Sequence, residues 1–426
     1  MHRPKKLSAG TNGSVRVEEC QVCGSRDLTS ILFVGYLPPV NTMPPVGTRP
    51  EEQPAYPAEL LRCANCTLVQ LGLVVDPAIL FPPSYPYTSG TTRILRENFA
   101  DLCREASPLV GLTSGDLVVD IGSNDGTLLG NFKNAGFKVC GVEPTNASRI
   151  ALDNGIDTVV SFFGAPAVAE VKKRYGQAKV VTAANVFAHI EDPHAVVDGI
   201  VDLLAPKGVF ISESHYLASL VETLQYDTIY HEHLRYYALG SLVHLLEAHG
   251  LEVFHARRIP THGGSIRVYA ARKGERAVQS SVKEILGQEE VILSPKAFEQ
   301  FRRDVVGSKL ELYALLRDIK KAGKRVDGVG APSRSSTLIN YVGLDDGIID
   351  AVLEIKGSYK TGKYVPGTLI PVVDESKLAT DAPDYLLLFS WHIADELMPK
   401  LRKGGFKGDF IVPLPKPRIV SGASVG

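Results

Sequence analysis

Apolar residues along this chain fall into short continuous runs that break at glycines, and into longer stretches with helical spacing. Leu117-Val118-Val119-Asp120-Ile121 reads as a buried strand, the segment 122–126 as a tight glycine turn, and Thr127-Leu128-Leu129 as the opening of a helix. A second apolar run, Lys138-Val139-Cys140-Gly141-Val142, ends at Glu143, and two more follow at 180–184 and 208–213. From about Val278 to Lys321 the pattern turns helical, with Leu310, Leu312, Leu315 and Leu316 on one apolar face. The stretch 325–338, with Gly328, Gly330 and Leu338, then repeats strand, glycine turn and helix. Ahead of all this, Leu28 to Tyr36 is strand-like and lies among many prolines. Strands alternating with helices predict an α/β chain built of two Rossmann-like units behind a small, loop-rich module.

Composition narrows the function. A chain of 426 residues exceeds what one hydrophobic core supports, and 44% apolar with 22% charged residues is ordinary for a globular protein. The net charge of -1 and the lack of any dense Lys/Arg run give no electrostatic support for a nucleic-acid or anionic-membrane partner. The opening Met1-His2-Arg3-Pro4-Lys5-Lys6 leads into no apolar core of a signal peptide, and no run approaches bilayer length. A cytoplasmic location and small-molecule chemistry are the expectation, in a monomer or homodimer.

Cys20/Cys23 and Cys63/Cys66 form two C-x-x-C pairs separated by roughly 40 residues, offering four thiolates at the spacing that closes a tetrahedral zinc site. A module this small has little core, so a structural zinc would supply much of its folding energy, on the order of 10 kcal/mol. The expected boundaries are a disordered lead-in over 1–16, a zinc module over 17–84, a cofactor domain over 85–277 and a C-terminal Rossmann-like domain over 278–426.

Gly122 and Gly126 let the backbone approach a ligand, and Glu143, about 20 residues on, can accept two ribose hydroxyls. The pattern is not the G-x-G-x-x-G of dinucleotide enzymes. It resembles the D-x-G-x-x-x-G turn of class I S-adenosylmethionine-dependent methyltransferases, and acidic and amide side chains suit a phosphate-free, positively charged sulfonium. The resemblance implies cofactor contacts from Asp120, Gly122, Asn124, Asp125, Gly126 and Glu143, joined by Asn185 and Phe187 at the mouth of the fourth strand.

The segment 226–237 packs acids, imidazoles and phenols together, including Tyr230-His231-Glu232-His233-Leu234. Its H-E-H spacing is not the H-E-x-x-H that sets two imidazoles on one helix face for zinc, so it reads either as a polar loop or as a reaction centre beside the cofactor. In order and motif (cysteine pairs, D-I-G-S-N-D-G, N-V-F-A-H-I, Y-H-E-H-L, second Rossmann-like domain) the chain from about Cys20 onward is similar to the three-domain deoxysugar C-3-methyltransferases. Those enzymes methylate a carbon of nucleotide-linked keto-sugars, building branched deoxysugars such as those on antibiotics.

The resemblance implies His233 as the base that removes a proton beside the ketone, Tyr230 or His189 as donor to the enolate oxygen, and Glu232 orienting an imidazole. Tyr85 or Tyr87, in a proline-broken loop, would either wall the site or pack as a linker. Substrate contacts are expected from His231, from His262, Gly263 and Ser265 in a glycine-rich turn, and from Ser333, Arg334 and Ser335 toward a nucleotide diphosphate, dTDP by preference. Arg334-Ser335-Ser336 and Trp391-His392 depart from the Lys-Gly-Asn and Trp-Asn of many relatives. The competing functions are an O- or N-methyltransferase on a sugar or related small molecule, a zinc-containing interaction protein and a nicotinamide-dependent sugar enzyme.

Overall fold

The computed structural model describes residues 7–9, 13–80, 92–331 and 333–421. In the N-terminal module, strands β1 (Leu28–Leu37), β2 (Tyr56–Cys63) and β3 (Val69–Leu71) pair antiparallel in sequence order. Cys63 closes β2, and the turn into β3, in which Thr67 N–H donates to the Cys63 carbonyl at 3.1 Å, is the second cysteine knuckle.

The central domain begins with helix α1 (Arg93–Val110) and holds strand β4 (Leu117–Ile121), helix α2 (Thr127–Asn134), and strands β5 (Lys138–Val142), β6 (Thr158–Val159), β7 (Ala178–Ala184) and β8 (Leu204–His215). A two-residue strand β9 (Arg235–Tyr236) and the hairpin β10 (Leu251–Ile259) and β11 (Ser265–Arg272) follow. The seven-stranded sheet runs β10-β11-β8-β7-β4-β5-β6, parallel except for β11, which lies antiparallel to both neighbours. All five residues of β4 are buried, Asp120 among its four apolar neighbours, as in a strand covered on both faces.

Strand β9 leaves that sheet and pairs with β3, Arg235 opposite Gln70 and Tyr236 opposite Val69, so the zinc module's sheet is completed by the central domain. Helix α3 (Ser280–Ile292) packs on β10 and sends Glu289 to the backbone N–H groups of Leu239 and Gly240 at 2.5 and 2.9 Å. It thereby sits with the central sheet, although the expected boundary at 278 precedes it. Helix α4 (Pro295–Lys321) leads to the last domain: β12 (Val326–Val329), α5 (Ser333–Val342), β13 (Val352–Glu354), β14 (Val372–Asp374), β15 (Tyr385–Leu388), β16 (Asp409–Val412) and β17 (Arg418–Val420). Its sheet, ordered β14-β13-β12-β15-β16-β17 and parallel up to β17, is the second Rossmann-like unit. Leu32, Val119, Phe210, Val326 and Ile339 belong to one continuous buried cluster, so the three units share a core. None of the described helices is long and apolar enough to cross a membrane.

Candidate active site

At the end of β4 the chain turns sharply: Gly122, Asn124 and Gly126 all have left-handed φ angles of 66°, 50° and 78°. A Cβ at Gly122 would lie 2.6 Å from the Val186 side chain, so only glycine fits. Glu143, at the end of β5, accepts from the Asn124 N–H at 3.0 Å and the Thr145 N–H at 2.8 Å, leaving lone pairs free for further donors. Asp125, just ahead of α2, accepts from the Thr127 N–H and hydroxyl at 3.1 and 2.6 Å. Asp120 accepts from Thr182 at 2.6 Å, and burial raises its carboxyl to about 7. Asn185, with φ of 59°, lies just beyond the end of β7, the strand paired with β4, and so beside this turn. Phe187 is wholly buried, its ring centroid 5.6 Å from Phe210 and 6.2 Å from Tyr237.

The segment 226–237 crosses the same end of the sheet. His233 Nδ1 lies 3.0 Å from the Thr228 carbonyl and Nε2 3.0 Å from the Tyr230 hydroxyl. A carbonyl only accepts, so the ring proton sits on Nδ1, and Nε2 keeps a lone pair to which Tyr230 donates. Burial holds the His233 imidazole well below the usual histidine range, with His189 and His215 adding to the effect. His189 lies with its ring centroid 5.0 Å from that of His233, and burial lowers it to about 4. Leu234 N–H donates to the Ala188 carbonyl at 2.9 Å, and buried Arg235 donates to the carbonyls of Ile190 and of Glu191, the latter at 2.8 Å, which straps the His189 turn to this segment.

Three domains meet here. Asn41 of the N-terminal module donates to Glu232 at 2.6 Å, and His231 Nε2 faces the Pro57 carbonyl at 3.3 Å, turned toward that module. From the last domain, Arg334 reaches Asp227 and Gln225, Trp391 donates to Asp227 at 2.8 Å, and Thr337 donates to the Ile229 carbonyl at 3.0 Å. Ser335 is buried and Ser333 half-buried at the start of α5. In the glycine-rich turn His262 has φ of 57°, Gly263 accepts from Gln225 Nε2 at 2.7 Å and the buried Ser265 donates to Thr261 at 3.0 Å, so this turn packs against Gln225. Tyr85 and Tyr87 lie outside the described residues. Sequence reading missed Asn41, Gln225, Thr337 and the pairing of Asp227 with Arg334. Gln225 and Asp227 do flank the motif, but nothing local marks their partners.

The Sγ atoms of Cys20, Cys23, Cys63 and Cys66 all lie within 4.8 Å of one another, with Cys20 to Cys66 at 3.4 Å and Cys23 to Cys63 at 3.5 Å, and none is in a disulfide. Zinc–sulfur bonds place tetrahedral sulfurs about 3.8 Å apart, so the cluster fits zinc closely. Three of the four are buried, and burial pushes the Cys63 thiol up to about 11, an environment in which thiolates need a cation.

Comparison with known proteins finds three matched regions. Family models match a zinc binding domain over residues 20–81, a methyltransferase domain over 92–256 and a C-methyltransferase C-terminal domain over 260–415. The C-methyltransferase NovU of Streptomyces niveus is 36% identical over 96% of this chain and 98% of its own. The ubiquinone biosynthesis O-methyltransferase of Shewanella pealeana is 30% identical over 26% of this chain and 49% of its own. Among solved structures, the PH0226 protein of Pyrococcus horikoshii OT3 aligns at 15% identity over 47% of this chain and 97% of its own, with a TM-score of 0.36, too distant to add to the fold described above. The central domain has the S-adenosylmethionine-dependent methyltransferase fold, and the N-terminal domain carries the four-cysteine zinc cluster.

Proposed function

Because the chain belongs to the C-methyltransferase family, we propose that it methylates the carbon beside the ketone of a nucleotide-linked 4-keto-deoxysugar through an enolate, dTDP being the proposed nucleotide. The observation that supports the enolate route best is the fixed tautomer of His233. A carbon beside a ketone becomes nucleophilic only after a proton leaves, and a buried neutral imidazole with its Nε2 lone pair directed away from Thr228 is a base ready for that task. The Tyr230 hydroxyl, which donates to Nε2, would turn its proton away as the ring takes up the one from carbon, and then accept from the new Nε2–H. Tyr230 or His189 would donate to the developing oxyanion, and Glu232, held by Asn41, would orient a neighbouring imidazole. S-adenosylmethionine supplies the methyl group, and the turn 122–126 with Glu143 and Asn185 would hold it.

The test is incubation with methyl-labelled S-adenosylmethionine and a panel of nucleotide-linked 4-keto-deoxysugars, with the transferred methyl located by NMR. A carbon-bound methyl is expected, together with deuterium exchange at that carbon in heavy water. A methyl on oxygen or nitrogen would overturn the enolate route and leave the cofactor assignment standing.

A further inference from the structure

Resting on that reading, we propose that Arg334 is a positioning residue for His233 and not a ligand of the substrate's diphosphate. The guanidinium is already committed. Its Nε lies 3.2 Å from Asp227 Oδ2, Nη2 donates to Asp227 Oδ1 at 3.3 Å and to Gln225 Oε1 at 2.9 Å, and Nη1 donates to His392 Nδ1 at 2.8 Å. Trp391 lies under it, ring centroid 5.4 Å away, and donates its own N–H to Asp227. Arg334 is 8% exposed and Asp227 1%. A phosphate arriving here would have to displace a buried carboxylate from its only cation among the described contacts and leave that charge unpaired.

What the pair grips is the backbone beside the base. Asp227 precedes Thr228, whose carbonyl fixes the His233 proton on Nδ1. Thr337, one helical turn after Arg334 on α5, holds the Ile229 carbonyl on the other side of Thr228. Two side chains of one helix therefore clamp the peptide that selects the tautomer. If the Thr228 carbonyl moves away, the ring proton is free to settle on Nε2, and the base loses the lone pair it uses. Misplacement of a reacting group by about 1 Å costs on the order of 100-fold in rate. The C-terminal domain, on this account, sets the rate of the central domain's chemistry.

The experiment uses full-length, zinc-containing protein loaded with S-adenosylmethionine, comparing Arg334→Gln with the milder Thr337→Val. Imidazole-15N NMR should show His233 as the Nδ1–H tautomer in the wild type and a shift toward Nε2–H in both variants. In turnover with the accepted keto-sugar, kcat should fall about 100-fold in Arg334→Gln and about 5-fold in Thr337→Val, with KM for the sugar nucleotide within about twofold. Tautomer retained in a folded Thr337→Val protein, or KM raised about tenfold with kcat held in Arg334→Gln, overturns the proposal and returns Arg334 to the substrate. Should Arg334→Gln lose its zinc or fail to fold, Thr337→Val decides alone. If the wild type methylates no keto-sugar, the enolate reading fails while the tautomer measurement still settles the role of the clamp.

Discussion

At His233 two contacts decide where the single proton of a neutral ring sits, and burial decides that the ring stays neutral. The Thr228 carbonyl and the Tyr230 hydroxyl fix the first, and the surrounding core fixes the second. Replacing His233 by Asn keeps a side-chain N–H near Thr228 and removes the base, so turnover should fall about 100- to 10,000-fold while calorimetric binding of S-adenosylmethionine stays close to wild type. Near-normal turnover in a folded His233→Asn protein would remove it as the base. The pH profile follows from the same burial. A histidine held well below its usual range is active while unprotonated, so activity persists through neutrality and falls only as pH drops through the lowered folded value. An acid limb of kcat/KM at about 6.5 would place the titration on another group. The candidate side chains were legible in the sequence because imidazole, phenol and carboxylate in one short segment are seldom mere packing. Their supports were not. Asn41 is 191 residues from Glu232 and Arg334 is 107 from Asp227, and nothing in either neighbourhood specifies the other.

Turns and strands carry the next level of constraint. The glycine turn after β4 was readable because its conformation excludes other residues. Gly122→Ala combines a left-handed φ with a 2.6 Å approach to Val186, and should cost about 2 kcal/mol or more in stability and most of the cofactor affinity, as read by thermal unfolding and titration with S-adenosylmethionine. Unchanged affinity in that variant would mean that the turn does not touch the cofactor. The repeat of strand, turn and helix in the last domain was readable for the same reason. Strand β9 was not, because two residues cannot show a periodicity and its partner β3 lies far upstream. Yet that pairing connects the cysteine cluster to the candidate site. Cys63 ends β2, β2 pairs with β3, and β3 pairs with the strand that follows His233. Cys63→Ser should reduce zinc below about half an equivalent by elemental analysis, lower the melting temperature and reduce turnover, although the cysteine contacts no reacting group. Full turnover in a zinc-depleted protein would disconnect the module from catalysis.

Across the whole molecule, the three domains meet around imidazoles that folding keeps uncharged. His189, His231 and His262 are lowered to about 4 and His215 to about 3, while His194, His233 and His392 are lowered too, all chiefly by burial. Below about pH 6.5 the unfolded chain binds protons at these positions that the folded chain refuses, so their contribution to stability is present above that pH and is lost as pH falls toward the folded values. Asp120, Glu213, Asp227, Glu289 and Asp327 act in the opposite sense, since burial raises each and the folded chain takes up their protons first. On the imidazoles alone, the melting temperature should fall between pH 7 and pH 5. His392 isolates the seam between the last two domains. Its Nδ1 accepts from Arg334, and a proton there would set two cations side by side in the clamp on Asp227. His392→Asn keeps an acceptor for Arg334 and removes the titration, so its stability should depend on pH less steeply than the wild type by up to one proton, about 1.4 kcal/mol per pH unit. If the variant loses stability as steeply as the wild type, the seam between these domains opens without protonation of His392, and the acid sensitivity belongs to the imidazoles of the central domain.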